Sequence, residues 1–265
     1  MESSHATAAP RVSGSVPAKV LAASVRPVPA HGRRANHLLA ALPDTDFMEW
    51  LADLEPVDLK LGQVLFESGR GLSHAYFPTT AMVSLMQLME DGGTCQSALV
   101  GNEGMVGVPV FMGGLSTPGS AVVSTAGEAF RLCASTLRRS FERCGPVTHL
   151  LLRYTQSLIA QMAQNAVCNR HHVVEQQLCR SLLQQLDRLS GNEIVVTQGG
   201  MSDQLGVRRE SITAAVNSLQ KLGLLITSRG HIFVRDRVGL ERRACESYAM
   251  VRKESDRLLP DEVAN

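Results

Sequence analysis

The chain has 265 residues, enough for two modest domains, and 44% of them are hydrophobic, an ordinary share for a globular protein. No run of about 18 apolar residues occurs, so we expect no membrane span, and the lack of a signal-peptide pattern at the start favours the cytoplasm. The net charge is only +1, but acidic residues crowd the first half and arginines the second. This asymmetry favours a basic nucleic-acid-binding module, because attraction to phosphate is local and screened by salt.

The six cysteines do not form metal-binding or redox pairs in the sequence. No two of them make a C-x-x-C motif, so the spacing predicts neither a zinc site nor an iron–sulfur cluster. We expect reduced, mainly structural thiols at Cys95, Cys133, Cys144, Cys168, Cys179 and Cys245.

Residues 1–36 are rich in Ala, Ser, Val and Pro and lack hydrophobic periodicity, which predicts a disordered tail. The tail is basic, but a passive segment explains it more simply than a DNA contact does. From His37 to Leu54, the spacing of leucine and aromatic residues predicts two short helices that are interrupted at Pro43.

Between Val57 and Leu132, short apolar runs alternate with turn signals that contain glycine. Several short strands at this spacing indicate an all-β barrel or sandwich. A short helix over residues 137–144 follows and ends at Gly145-Pro146. The β domain is therefore placed at residues 37–145.

A long helix is predicted over residues 147–169, because apolar residues recur at intervals of three and four. One stripe of this helix can be read as a coiled-coil seam, in which a polar residue would fix the register. The stripe is too brief to decide between that interpretation and a helix packed only on its own β domain. Its members are Leu151, Tyr154, Leu158, Gln161, Asn165 and Cys168.

The helical pattern continues to about residue 189. Four residues near its start carry metal-ligand chemistry, but adjacent histidines on a helix project about 100° apart. We therefore favour surface or capping roles and predict no metal site for Cys168, His171, His172 and Glu175.

The stretch from Thr197 to Leu225 has the pattern of a helix-turn-helix. Met201 and Leu205 share one face of a short first helix, and Gly206 supplies the turn because it tolerates a positive φ. Two glycines in the first helix predict that it is short or frayed. The second helix carries an apolar stripe and an opposite polar face. The stripe is Ile212, Ala215, Val216, Leu219 and Leu222, and the polar face is Glu210, Thr213, Ala214, Asn217 and Lys221.

Arg208 and Arg209 stand at the start of this second helix, where the helix dipole also favours a phosphate. Two β-rich runs then flank the turn Ser228–His231 and predict a hairpin. A helix-turn-helix followed by a hairpin is a winged helix, and its basic residues could contact the DNA backbone without reading sequence. The alternative for each is a solvated surface role. The basic residues of the wing are Arg229, His231, Arg235 and Arg237.

After the wing, a last amphipathic helix is predicted from Leu240 to Leu259.

The segments 205–213 and 219–225 resemble the DNA-binding domain of the Crp/Fnr family of bacterial transcription regulators. In that family an Arg-Glu pair opens the recognition helix and reads bases, and Arg209 and Glu210 match this pair. The family's third base-reading residue, an Arg four positions after the Glu, is replaced here by Ala214. The resemblance therefore implies base reading but does not transfer a half-site sequence.

The segments 61–69 and 100–107 are similar to the cyclic-nucleotide-binding β-roll of the same family. Nucleotide-binding members hold the ribose with a Gly-Glu pair and the cyclic phosphate with an Arg. Here Val108 follows Gly107, and residues 115–121 contain no basic side chain. The usual mode of cyclic AMP binding is therefore not expected. If the roll binds another effector, the resemblance places it near Gly104, Gly107, Met112, Ser116, Thr117 and Ser120, whose alternative role is turn and strand geometry.

The resemblance implies an α+β protein with an N-terminal β-roll (37–145), a dimerisation helix (146–169), a winged helix-turn-helix (170–240) and a C-terminal helix and tail (241–265). In the family the long helix pairs two subunits, so the resemblance puts Leu151, Tyr154, Leu158 and Asn165 at a dimer interface.

The predicted function is a homodimeric, sequence-specific DNA-binding transcription regulator that recognises a roughly palindromic operator. Its partners are double-stranded DNA and a second copy, with RNA polymerase as a further candidate; no cofactor is predicted and the effector is unknown. The residues expected to contact DNA are Arg208, Arg209, Glu210, Thr213, Asn217 and Arg229.

Two alternatives belong to other classes. One is a redox or metal sensor in which cysteine or histidine residues receive the signal. The other is an enzyme, which we do not expect, because the sequence shows no nucleophile–base pair, phosphate loop or metal-ligand spacing.

Overall fold

A computed structural model describes residues 30–90 and 92–259. Most of the predicted tail lies outside these ranges, but its end is ordered. Residues 30–35 form a 3-10 helix, and Asn36 is fully buried. The Asn36 amide donates hydrogen bonds of 2.8 Å to the carbonyl oxygens of Pro78 and Gly104, and its Oδ1 caps the first helix by accepting from the Leu39 N–H. The ordered fold therefore begins before the boundary that we predicted at residue 36.

The N-terminal part is the predicted roll of short antiparallel strands, preceded by helices α1 (His37–Ala40) and α2 (Asp44–Leu51). Its two sheets have the orders β1-β7-β3 and β2-β6-β4-β5. Alternate side chains from both sheets fill one shared core. The strands are β1 (Leu54–Leu59), β2 (Val64–Phe66), β3 (His74–Pro78), β4 (Met82–Leu88), β5 (Thr94–Val100), β6 (Ser120–Thr125) and β7 (Gly127–Cys133).

Three helices follow the roll: α3 (Ala134–Glu142), α4 (Pro146–His171) and α5 (Val174–Leu186). The prediction that one helix continues through residue 189 is wrong, because the chain breaks at His172 and Val173. Both residues are extended, with ψ of 153° and 155°, and the Gln176 side chain accepts the Val173 N–H to start α5. None of the described helices is both long and apolar enough to cross a membrane.

The stripe of α4 that we predicted as a seam faces the interior of its own subunit. The Tyr154 hydroxyl donates to the Met105 carbonyl at 2.7 Å, and the Asn165 amide donates to the Ser97 carbonyl at 2.9 Å. Leu151 and Leu158 are buried in the core of the roll. These four residues therefore pack within their own chain, and a dimer interface at them stays a prediction. The alternative interpretation, a helix packed on its own roll, describes this face.

The C-terminal part is the predicted winged helix-turn-helix followed by two helices. Its three-stranded sheet has the order β8-β10-β9. Buried side chains of α5, α7 and this sheet form a second hydrophobic core. The single final helix that we predicted is split at Ala244 and Cys245, which are both extended, with ψ of 156° and 162°. The elements are β8 (Glu193–Val195), α6 (Gln198–Leu205), α7 (Arg209–Lys221), β9 (Leu225–Ser228), β10 (His231–Val234), α8 (Arg237–Arg243) and α9 (Glu246–Leu258).

Candidate nucleic-acid interface

The first helix of the motif, α6, is stabilised at both ends despite its two glycines. The Thr197 hydroxyl accepts the Gly200 N–H at 3.0 Å, which satisfies one of the unpaired donors of the first turn. At the other end Gly206 adopts the left-handed conformation, with φ of 64°. Met201 and Leu205 are buried. The helix is eight residues long, as short as the sequence predicts.

The second helix, α7, is anchored through one side. Its buried stripe consists of Ile212, Ala215, Val216 and Leu219, each at most 6% exposed. Leu222 was predicted to continue the stripe, but it is 49% exposed. The helix ends at Lys221, so Leu222 leaves the helical register and its side chain turns to solvent.

The opposite side of α7 is open. Arg208, Arg209, Glu210 and Asn217 are all exposed, whereas Thr213 is half-buried. The Thr213 hydroxyl lies 2.9 Å from Gln198 Oε1 and 3.0 Å from the Arg209 carbonyl oxygen. Thr213 therefore joins α6 to α7, and its hydroxyl is less available to a base edge than we predicted.

The two arginines at the start of α7 form no ion pair with any residue in the described ranges. Arg208 is the N-cap residue of a 13-residue helix, where the helix dipole adds positive potential. An anion that approached this end would meet two guanidinium groups and the first backbone N–H groups. Ala214 stands exposed one turn further on, so the family's third base-reading position offers only a methyl group.

The wing is a tight hairpin. Ser228 pairs with His231, which leaves Arg229 and Gly230 as a two-residue loop with φ of 37° and 86°. Two positive φ angles are characteristic of the turns that fit the strand twist. Arg229 is exposed at the tip, in a conformation that residues other than glycine rarely adopt.

Two other basic residues that we considered for phosphate contacts are engaged within the protein. His231 Nδ1 lies 2.6 Å from Glu193 Oε1. Arg237 forms ion pairs with Asp187 and Glu241 and also donates to the Tyr248 hydroxyl. Arg237 therefore ties α8 to α9 and to the end of α5, and its guanidinium is less available to a phosphate than we predicted.

Contacts between the winged domain and the roll include an ion pair and a hydrogen bond formed by residues outside α7. Arg188, just after α5, forms an ion pair of 2.6 Å with Glu103 of the roll. The Thr94 hydroxyl of β5 donates to the Asp203 carbonyl oxygen of α6 at 3.4 Å. Sequence spacing gives no signal for either contact, because the partners are 85 and 109 residues apart.

The residues predicted to line an effector pocket have different surroundings. A Cβ on Gly104 would lie 2.5 Å from the Tyr154 ring, and one on Gly107 would lie 3.2 Å from the Ala75 backbone. Both glycines therefore permit close packing within the subunit. Met112 and Ser116 are exposed, and Thr117 and Ser120 are half-buried. An effector site at these six residues stays a prediction.

Residues 176–243 match the family of Crp-like helix-turn-helix domains. The chain contains a Crp-like helix-turn-helix domain. This domain includes α6, α7 and the wing. No curated protein matches the sequence significantly.

Most of the described architecture also recurs in solved structures. A protein from Eubacterium rectale that is described as a transcriptional regulator of the Crp/Fnr family matches with a TM-score of 0.64 and 16% identity, over 79% of this chain and 98% of that one. FixK2 from Bradyrhizobium japonicum matches with a TM-score of 0.61 and 16% identity, over 72% and 98%. A Crp-family transcriptional regulator from Thermus thermophilus matches with a TM-score of 0.60 and 17% identity, over 71% and 96%. The chain therefore has the fold of these transcription regulators.

Proposed function

We propose that this protein is a sequence-specific transcription regulator that binds DNA as a homodimer. The observation that carries the proposal is the open face of α7. Four polar or charged residues of this face are exposed while the opposite stripe is buried, which is the arrangement that a helix needs in the major groove.

Different residues of this face have different tasks in the proposal. Glu210 accepts from a cytosine amino group or an equivalent donor, and Arg209 donates to a guanine edge. Arg208 at the helix start and Arg229 at the wing tip contact phosphates, which position the domain without reading sequence. Asn217 lies two turns along the same face and completes the reading surface.

A second exposed stripe of α4 supports dimerisation, in place of the buried residues that the sequence suggested. Its members are spaced alternately by four and three residues, as in a coiled-coil seam. Leu152 and Ile159 are 47% and 58% exposed, and two alanines would allow the helices to approach closely. The stripe consists of Leu152, Gln156, Ile159, Ala163, Ala166 and Arg170. Two-fold symmetry about this seam would separate the recognition helices by about 34 Å, so the operator is expected to be roughly palindromic.

The usual cyclic nucleotide mode is not part of the proposal. Val108 stands where nucleotide-binding members carry a Glu, and no basic residue lies in the segment 115–121. The protein is therefore expected to bind DNA without added cyclic AMP, and to contact RNA polymerase at promoters that it activates.

Selection of genomic DNA fragments by the purified full-length chain, near physiological salt and without effector, tests the proposal. Enrichment of a palindromic motif is the expected result. Fragments that share no motif, both from purified protein and after addition of cell extract, would contradict the proposal. The extract arm detects a protein that requires an effector.

A further inference from the structure

Two residues that are four positions apart and a third that is 77 positions from the first form a compact cluster at the junction of the two domains. Cys168 lies near the end of α4, His172 lies in the break before α5, and Cys245 is the N-cap residue of α9. The two sulfur atoms are 3.2 Å apart. One ligand atom from each of the three residues lies within 4.8 Å of the other two. Both thiols are buried.

The imidazole of His172 has the hydrogen-bonding pattern of a metal ligand. Its Nδ1 is buried without a hydrogen-bond partner among the described residues, although most buried polar atoms in proteins have one. Its Nε2 lies 3.2 Å from Glu246 Oε2. A histidine that binds a metal through one nitrogen usually donates its other N–H to a carboxylate or carbonyl oxygen. Glu246 is in place for that role.

This cluster differs from the group that the sequence drew attention to. His171 is exposed, and Glu175 forms an ion pair of 2.8 Å with Arg243. Cys245 takes their place, although it is 77 residues from Cys168. The spacing argument against a zinc site therefore holds for local motifs but does not cover ligands that the fold brings together.

We propose that Cys168 Sγ, Cys245 Sγ and His172 Nδ1 bind one divalent ion of the zinc type, with a solvent molecule as the fourth ligand. Two thiolates and an imidazole are a ligand set that zinc prefers. Binding displaces the two thiol protons, which pass to solvent. Zinc–sulfur bonds of about 2.3 Å in a tetrahedron place the sulfurs roughly 3.8 Å apart. The two sulfur atoms, now 3.2 Å apart, must therefore separate by only about 0.6 Å.

The surrounding charges suit a bound cation. The two thiolates and the Glu246 carboxylate are negative. Their charge balances the positive charge of a divalent ion and of the Arg180 guanidinium, which acts on Cys168. Arg180 is held by the side-chain oxygens of Asn165 and Asn169. The positive charge of Arg180 is therefore held in place beside the cluster before any ion binds.

An ion at this position would join the start of α9 to the end of α4 and to the segment that leads into α5. Since α5 contributes to the core of the Crp-like domain, occupancy would limit the movement of that domain relative to the roll. This consequence rests on the proposed function, whereas the binding of the ion does not.

The experiment adds zinc, and separately cobalt, to the metal-free full-length protein. We expect about one equivalent of zinc by elemental analysis, and a cobalt spectrum with a thiolate charge-transfer band and tetrahedral d–d bands. Cys168→Ser, Cys245→Ser and His172→Gln should lose the spectrum. Glu246→Gln should weaken affinity roughly 10- to 100-fold, as is usual for a residue that orients a ligand.

Two matched variants control for nonspecific damage. His171→Gln changes the exposed neighbour of His172. Cys179→Ser changes a buried thiol of α5 outside the cluster, where burial and the charge of Glu175 raise the pKa to about 12. Both should keep the cobalt spectrum, and circular dichroism should show every variant folded. Absence of metal in the wild-type protein, a Cys168–Cys245 disulfide in place of bound metal, or equal loss in the controls would overturn the proposal.

Discussion

Helices α4 and α7 both carry polar residues at helical spacing, but the two helices use them in opposite ways. On α7 the polar residues face solvent, and the arginines at its start have no ion-pair partner in the described part of the chain. On α4 the polar residues Gln161 and Asn165 are buried and hydrogen-bonded to the edge of the roll. Periodicity shows that a helix has two faces, but it does not show which of them meets a partner.

The largest expected effect concerns the exposed face of α4. Ile159→Asp places a charge in the centre of the proposed seam, where the unpaired carboxylate would cost about 3–5 kcal/mol on burial. We expect monomers in sedimentation velocity at concentrations where the wild-type protein is dimeric. Val238→Asp is the matched control, because Val238 is also 58% exposed but lies on α8. If the Ile159→Asp variant remained dimeric, the dimer could not depend on the proposed seam.

The buried face of α4 gives the next effect. Asn165→Ala removes the donor to the Ser97 carbonyl oxygen and an acceptor of the buried Arg180 guanidinium. The free energy of unfolding, measured with urea, should fall by about 2–3 kcal/mol. Arg153→Ala, an exposed change on the same helix, should stay within about 0.5 kcal/mol. Equal small losses would show that this face is not structural.

A smaller effect, confined to DNA, is expected on α7. Glu210→Ala leaves stability unchanged because the side chain is exposed, but it should remove about 1–3 kcal/mol of discrimination at one base pair of each half-site. Competition binding against single-base variants of the selected operator measures this loss. Lys221→Ala, at the far end of the same face, should leave base preference unaltered. If the Glu210→Ala variant kept the same base preference, residues other than Glu210 would have to read this base pair.

The smallest effect belongs to the wing. Arg229→Ala should weaken binding equally for all sequences and reduce the salt dependence of affinity by about one counterion per contact. Arg229→Gly separates charge from backbone strain, because glycine tolerates the φ of 37° at this position. Both variants should lose the same DNA affinity, and a loss only in Arg229→Ala would point to the turn conformation.

The sequence was sufficient for the parts of the fold that depend on local chemistry. The Gly206 turn, the stripe around Ile212 and the Arg229-Gly230 hairpin were all predictable, because glycine tolerance and helical spacing act within a few residues. The break at His172 was not predictable, since no proline or glycine marks it.

The remaining misses depend on long-range contacts. Two stripes of α4 are offset by only one or two residues, and both mix apolar and amide side chains, so the sequence alone could not choose the inner one. The cluster of Cys168, His172 and Cys245 is formed only when α9 packs on α4. The partners of Arg237 likewise come from α5 and α9, which is why its surface role was overestimated.

The measurement that tests the central claim most directly is the ratio of affinities for the selected palindrome and for a scrambled duplex of equal length and composition, at one salt concentration. Charge attraction is equal for the two duplexes, so the ratio isolates base reading by α7. We predict a ratio of about 10³ or more for the wild-type protein. A ratio near one would contradict the account and leave α7 as an ordinary solvated helix.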